Sequence, residues 1–165
     1  YAGSMDALLT VTNNRFHALL APRRGVRALT TLLTARLALG GGVQVLDGGN
    51  CFDVHGLARA VRRSTPHLEE TLRRVQVARV FTCYQMAARL DEMPARPCAL
   101  IVLDMLATFA DENVPERERL RLLTGCLAEL HRLAEAAPVL VTASPSETPF
   151  RLRLEQAADV VWRED

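Results

Sequence analysis

Short apolar runs alternate along this chain with longer stretches in which apolar residues recur every three or four positions. The first pattern marks strands and the second amphipathic helices. Phe16 to Leu20, after the turn-like Asn13-Asn14, predicts a first strand, and Ala21-Pro22-Arg23-Arg24-Gly25 reads as a loop. Val26 to Leu39 carries Leu29, Leu32, Leu33 and Leu37 at helical spacing, and Gly40-Gly41-Gly42 stops that helix. Val43 to Leu46 is a second strand, closed by Asp47-Gly48-Gly49-Asn50, and a helix from Val54 to Arg63 follows. Thr65 and Pro66 suit the N-cap and N1 positions of the next helix. Its Glu69–Arg73 and Glu70–Arg74 pairs are spaced i,i+4, acids toward the amino end, which complements the helix dipole.

Val75 to Val80 predicts another short strand, and Thr82-Cys83-Tyr84-Gln85 has the capping-box spacing that opens a helix to Met93. Cys98 to Leu103 is a near-continuous apolar run, as expected of a strand buried on both faces. Pro115 starts a long helix whose Leu120, Leu123, Leu127, Leu130 and Ala134 form one stripe. Val139 to Thr142 is a strand, Ser144 to Pro149 a turn-rich loop, Phe150 to Ala157 a short helix and Asp159 to Trp162 a last strand. This alternation predicts an α/β fold, a parallel sheet with helices on both faces, in one domain over residues 5–165. Tyr1-Ala2-Gly3-Ser4 ahead of Met5 reads as a cloning scar with no part in the fold. Ligands bind such sheets at the carboxyl ends of the strands. Ala21 to Arg27, Asp47 to Asn50, Asp104 and Thr142 to Ser144 are expected to converge there.

Charge narrows the chemistry. The net charge of +1 gives no sign of a strongly basic nucleic-acid clamp. All 20 basic residues are arginine, so the chain has no Schiff-base lysine, no lysine general base and no P-loop lysine. Cys51, Cys83, Cys98 and Cys126 lie far apart without zinc-knuckle spacing and read as buried free thiols. His17, His55, His67 and His131 show no ligand spacing, and Trp162 reads as core or interface. No apolar run approaches the ~20 residues of a membrane span. The expected setting is the cytoplasm, without membrane contact.

Strand, Gly- and Pro-containing loop, then helix is the context of a phosphate-cradling P-loop. In the best register, Ala21 to Ala28, neither glycine, the lysine nor the hydroxyl residue stands at its position. A register two residues later, Arg23 to Thr30, restores a hydroxyl at Thr30 but puts Leu29 where the lysine belongs. Arg23, Arg24, Gly25, Arg27, Thr30 and Thr31 are therefore candidate anion- or nucleotide-binding residues, against the alternative of a solvated loop. Asp104 is a candidate magnesium ligand, against the alternative of a strand-end carboxylate that accepts loop amides. Arg62, Arg63, Arg73 and Arg74 are candidate DNA contacts, partly neutralised by Glu69 and Glu70.

Four stretches resemble the RecA/RadA recombinase ATPase core. Val45-Leu46-Asp47-Gly48-Gly49-Asn50-Cys51-Phe52 is similar to the family's D-T-E-G-x-F strand, and Ala78-Arg79-Val80-Phe81 to its A-R-A-[FY] segment. Leu100 to Phe109 resembles the Walker B strand, with Asp104 as its aspartate. Pro138 to Ser144 resembles the strand ending in the T-N-Q sensor. The resemblance implies a three-layer, RecA-like P-loop NTPase fold. It also places departures at the chemistry: Gly49 stands for the catalytic glutamate, Ser144 for the sensor glutamine and Ala110 for an arginine, and Ser144 to Arg151 is a shortened second DNA-binding loop. Phosphoryl transfer relies on positioning and charge stabilisation, so the resemblance implies a degenerate paralogue. The expected function is a non-hydrolytic accessory or scaffold in DNA recombination or repair. It would act through a protein partner, another RecA-like subunit or a second copy, with no resident cofactor. The alternatives are an atypical ATPase using Arg27 and Asp104 with ATP and magnesium, and a single-stranded-DNA-binding accessory protein.

Overall fold

A computed structural model describes residue 11 and residues 14–164. The cloning-scar reading of Tyr1–Ser4, Asn13 of the predicted turn and both ends of the predicted domain lie outside the described residues. Among these residues six strands form one sheet: β1 (Phe16–Leu20), β2 (Val43–Asp47), β3 (Val75–Arg79), β4 (Ala99–Leu103), β5 (Val139–Ala143) and β6 (Val160–Arg163). Their order is β3-β2-β4-β5-β1-β6, and each pairing is parallel, with registers such as Phe16 opposite Val139 and Val43 opposite Ala99. Six α-helices connect them: α1 (Arg23–Gly40), α2 (Val54–Ser64), α3 (Leu68–Arg73), α4 (Cys83–Glu92), α5 (Glu116–Ala134) and α6 (Pro149–Ala157). A 3₁₀ turn spans Met105–Phe109.

Alternation along the strands builds two apolar layers. Phe16, Ala18 and Leu20, with Leu100, Val102, Val139 and Val141, pack with Met86 and Leu90 of α4, Leu123 and Leu130 of α5, and Leu154 of α6. Leu19, Val43, Val45, Ile101 and Leu140 point the other way, onto Val26, Leu33 and Ala38 of α1. Leu57 and Val61 of α2 join Ala35 of α1 beside them. The predicted parallel sheet with helices on both faces is therefore present, and β4 and β5 are buried throughout.

Several element ends differ from expectation for identifiable reasons. Helix α1 begins at Arg23, so Arg23, Arg24 and Gly25 form its first turn rather than a loop. Pro22, extended at φ −60°, is its N-cap, and proline suits helix starts because it has no N–H to satisfy. Leu32 is exposed and leaves the stripe expected of it. Thr65 closes α2 instead of opening α3, and its Oγ1 accepts the His67 N–H at 3.1 Å. At α4, Thr82 Oγ1 accepts the Gln85 N–H at 3.1 Å, as expected, while Gln85 Oε1 reaches one residue further back to the Phe81 N–H, at 2.9 Å. The stripe of α5 is buried except for half-buried Leu120. Cys83 and Cys126 are buried free thiols, whereas Cys51 and Cys98 are half-buried.

The arginines hold the frame. Arg74 Nη1 donates to the Ala38 and Leu39 carbonyls at the end of α1, each at 3.1 Å. Arg132 Nη2 does the same for Leu90 and Met93 at the end of α4, at 3.2 and 2.8 Å. Arg119 clamps the loop after the 3₁₀ turn through Val114 O (2.9 Å) and Phe109 O (2.8 Å), its guanidinium 5.2 Å from the Phe150 ring centroid. A guanidinium presents several donors in a fixed plane, which suits pairs of orphan carbonyls. Among the described residues no helix is long and apolar enough to cross a membrane.

Candidate functional site at the carboxyl edge of the sheet

The chain leaves β1 toward β2 over one face, and leaves the adjacent β5 toward β6 over the other. The crevice at the ends of β1 and β5 is thus a topological switch point, where ligands of such sheets bind. Arg23 follows β1, Asp47 ends β2, Asp104 follows β4 and Thr142 lies in β5. The four predicted segments do meet at this edge.

What they form is closed. Only Ala21 and Pro22 separate β1 from α1. The Ala21 N–H donates to Ala143 O (3.2 Å), and those of Gly25 and Val26 donate to Pro22 O (3.0 and 3.3 Å). Pro22 has no N–H, so few amides are left to cradle a phosphate. The Thr30 hydroxyl donates to Val26 O (2.8 Å) and the Thr31 hydroxyl to Arg27 O (2.7 Å), both back into the helix.

Arginines at the amino end of α1 oppose its dipole, and the chain supplies carboxylates against them. Arg23 Nη2 lies 2.5 Å from Asp104 Oδ2, and Arg27 Nε lies 3.8 Å from Asp53 Oδ2. A Cβ on Gly25 would stand 3.3 Å from Glu164 Oε2, so a third carboxylate overhangs the same turn. No well-angled hydrogen bond reaches Asp104 Oδ2 among the described residues, so its attraction to Arg23 is a charge contact. Asp53 is also the N-cap of α2: its Oδ1 accepts the Gly56 N–H at 2.8 Å. That hydrogen bond, with Arg27, Arg59 and His55 nearby, holds its carboxyl below the ordinary value.

Asp104 is buried in a left-handed conformation, φ 47° and ψ 49°, and its N–H donates to Thr142 Oγ1 at 2.9 Å. Aspartate is among the few residues that adopt this region readily. Asp47 serves its own loop, accepting from the N–H groups of Gly49 (3.3 Å), Cys51 (3.0 Å) and Phe52 (2.9 Å). The Cys51 thiol is pushed up to about 11, first by burial and then by the Asp47 and Asp104 charges, which favours the protonated form over the reactive thiolate. A Cβ on Gly49 would lie 2.6 Å from both Cβ and Oδ2 of Asp104. The position that the resemblance aligns with a catalytic glutamate therefore has no room for a side chain. The cavity among Arg23, Arg27, Thr30, Cys51, Asp104 and Thr142 has a volume of about 10 Å³. That is room for about one water, whereas small-molecule pockets run to roughly 300–1,000 Å³.

The other predicted residues lie elsewhere. Arg62 and Arg63 occupy the last turn of α2, and Arg73 and Arg74 close α3, placing all four at the amino edge of the sheet. Arg73 is 3.6 Å from Glu69 and Arg74 is 2.9 Å from Glu70. Ser144 is exposed and shares a 3.0 Å hydrogen bond with Ser146. Sequence reasoning missed Asp53, Glu164 and the Thr142 hydroxyl. Asp53 had a signal, a capping carboxylate three residues before Gly56 and ahead of an amphipathic helix. Glu164 had none, because it meets α1 only through the β1–β6 pairing. Compared with known proteins, the chain matches no protein-family model and no curated protein.

Proposed function

We propose that this protein is a non-hydrolytic, RecA/RadA-like accessory or scaffold of DNA recombination or repair that works by binding a protein partner. The observation that carries this reading is the closed carboxyl edge. The Arg23–Asp104 contact and the 10 Å³ cavity stand where a nucleotide-dependent relative would need a phosphate cradle and a metal. The family part of the reading rests on the four motif-like stretches alone.

A docking face supports the partner half of the reading. Among the described residues strand β3 pairs only with β2, and no other strand lies along its far edge. Val77, Phe81 and Tyr84 along and just beyond it are 43%, 70% and 50% exposed. An adjoining groove of about 400 Å³ runs between β2, β3 and the end of α4. Open strand edges and exposed aromatic residues are recurrent features of protein-binding surfaces. Another RecA-like subunit or a second copy of this chain is the occupant that the resemblance implies.

Nothing at the site favours the ATPase alternative: its two residues, Arg27 and Asp104, face Asp53 and Arg23. Isothermal titration of the protein with ATP and magnesium is the test. No binding heat and no phosphate release are expected. Micromolar binding with turnover overturns the proposal.

A further inference from the structure

We infer that a second copy of this chain docks on the β3 edge, the two β3 strands pairing antiparallel about a two-fold axis at Val77. The inference rests on the docking-face reading above and commits that face to one occupant. The phase of the hydrogen bonds shows what the edge offers. The Val43 N–H donates to Arg74 O (2.9 Å) and the Val80 N–H to Asp47 O (3.0 Å), so the even-numbered residues along β3 turn their backbone groups toward β2. The residues between them, Val75, Val77 and Arg79, turn N–H and C=O the other way, where no strand lies among the described residues. Gln76, Val77 and Arg79 are exposed, which leaves that side of β3 accessible.

An antiparallel copy centred on Val77 meets this phase. Val77 then faces the partner's Val77, and Val75 faces the partner's Arg79, each as a pair that exchanges two hydrogen bonds. Every outward backbone group of the strand gains a partner. A register shifted by one residue would set outward-turned groups against inward-turned ones and move each side chain to the wrong face. Ala78 packs with the layer under α4 and Val75 with the layer under α1, so the side chains of Val77 and the partner's Val77 meet on the α1 side of the joined sheet.

Shape and charge select a second copy over a foreign strand. Phe81 and Tyr84, both exposed, stand beyond the carboxyl end of β3. The groove of about 400 Å³ beside β3 runs the other way, to Glu92 and Met93 at the end of α4, toward the amino edge. A two-fold axis across the sheet lays the carboxyl end of each strand beside the amino end of the other and keeps both α4 helices on one face. The aromatic end of each copy is thereby carried to the groove of its partner. Arg89 and Glu92 line that groove, exposed and without a salt bridge among the described residues. One unpaired charge of each sign is what a patch needs to be complementary to itself.

Sedimentation equilibrium of the full chain at micromolar concentration is the test, and a species of twice the 18.2 kDa chain mass is expected. Val77→Lys sets two like charges against each other at the axis and is expected to weaken the dimer by about tenfold or more. Val77→Pro removes an outward donor and no bond to β2, and is expected to weaken it as well, with circular dichroism unchanged. Leu152→Lys, the same kind of change on exposed α6, is expected to leave the dimer as it is. Gln76 faces the partner's Ala78 in a non-hydrogen-bonded pair, with Cα atoms about 4.5 Å apart. Gln76→Cys with Ala78→Cys is therefore expected to give a reducible covalent dimer on mild oxidation, which the parent and either single variant do not. A monomeric parent, a dimer indifferent to Val77→Lys, equal weakening by Leu152→Lys, or no disulfide in the double variant overturns the inference. A monomeric parent would leave the edge to a different protein and the partner-binding reading intact. ATP turnover would overturn that reading and leave the dimer.

Discussion

Arg23 and Asp104 meet 2.5 Å apart across the end of β5, tying the first turn of α1 to the end of β4. The arginine side chain is 64% exposed and the aspartate side chain 9%. Solvent screens one partner, but the other has little water to fall back on. Arg23→Ala is expected to destabilise the fold by about 1–2 kcal/mol in urea unfolding, chiefly by stranding the carboxylate. Asp104→Asn should restore most of that loss in the Arg23→Ala background, since asparagine also accepts the left-handed backbone. Strictly additive effects in the double-mutant cycle would show that the two side chains are not coupled.

Gly49 and Asp104 compete for one volume. Gly49→Ala is expected to cost about 1–3 kcal/mol by overpacking, and Gly49→Glu more. Arg27→Lys combined with Gly49→Glu should therefore yield a less stable protein with no ATP hydrolysis. Measured turnover in that variant would contradict the steric reading of Gly49.

The Asp53 carboxyl is held down by the Gly56 N–H, then by Arg27, Arg59 and His55. A group whose folded-state value is depressed contributes stability that is fully present above its unfolded value. The contribution is lost as pH falls through the folded one. Asp53→Asn keeps the capping oxygen but removes the titration. The stability gap between parent and variant is expected to be constant near neutrality and to close as pH drops below the ordinary value of 3.8. A gap that stays level in acid would mean that the charge of Asp53 contributes nothing.

Arg74→Lys keeps the charge and removes the planar fork on Ala38 O and Leu39 O. A loss of about 1 kcal/mol is expected from these end-of-helix carbonyls, with the Glu70 contact retained. Stability equal to the parent in chemical denaturation would place the value of Arg74 in its charge instead.

Much of this architecture could be read from local pattern. The run from Ala99 to Leu103 and the stripe from Leu123 to Ala134 are unambiguous because burial on both faces and burial on one face leave different periods. The start of α1 was hidden because Pro22-Arg23-Arg24-Gly25 has loop composition, yet proline and glycine are both tolerated in a first helical turn. Convergence of Arg23, Asp47, Asp104 and Thr142 followed from strand–helix alternation. Their closure did not. It depends on pairings such as Arg23 with Asp104, and on Gly49 abutting Asp104, which arise from strand order and leave no periodic trace.

The placement of β1 has a consequence for how the chain acquires its shape during synthesis. Phe16 pairs with Val139, roughly 120 residues downstream, and among the described residues the neighbours of β1 are β5 and β6. Strands β2, β3 and β4 can assemble as soon as β4 emerges, while β1 must wait for β5. At ~5–20 residues per second that delay is on the order of ten seconds. Through it the Phe16–Leu20 segment stays without its hydrogen-bonding neighbours, and that unpaired strand is where misassembly would first take hold.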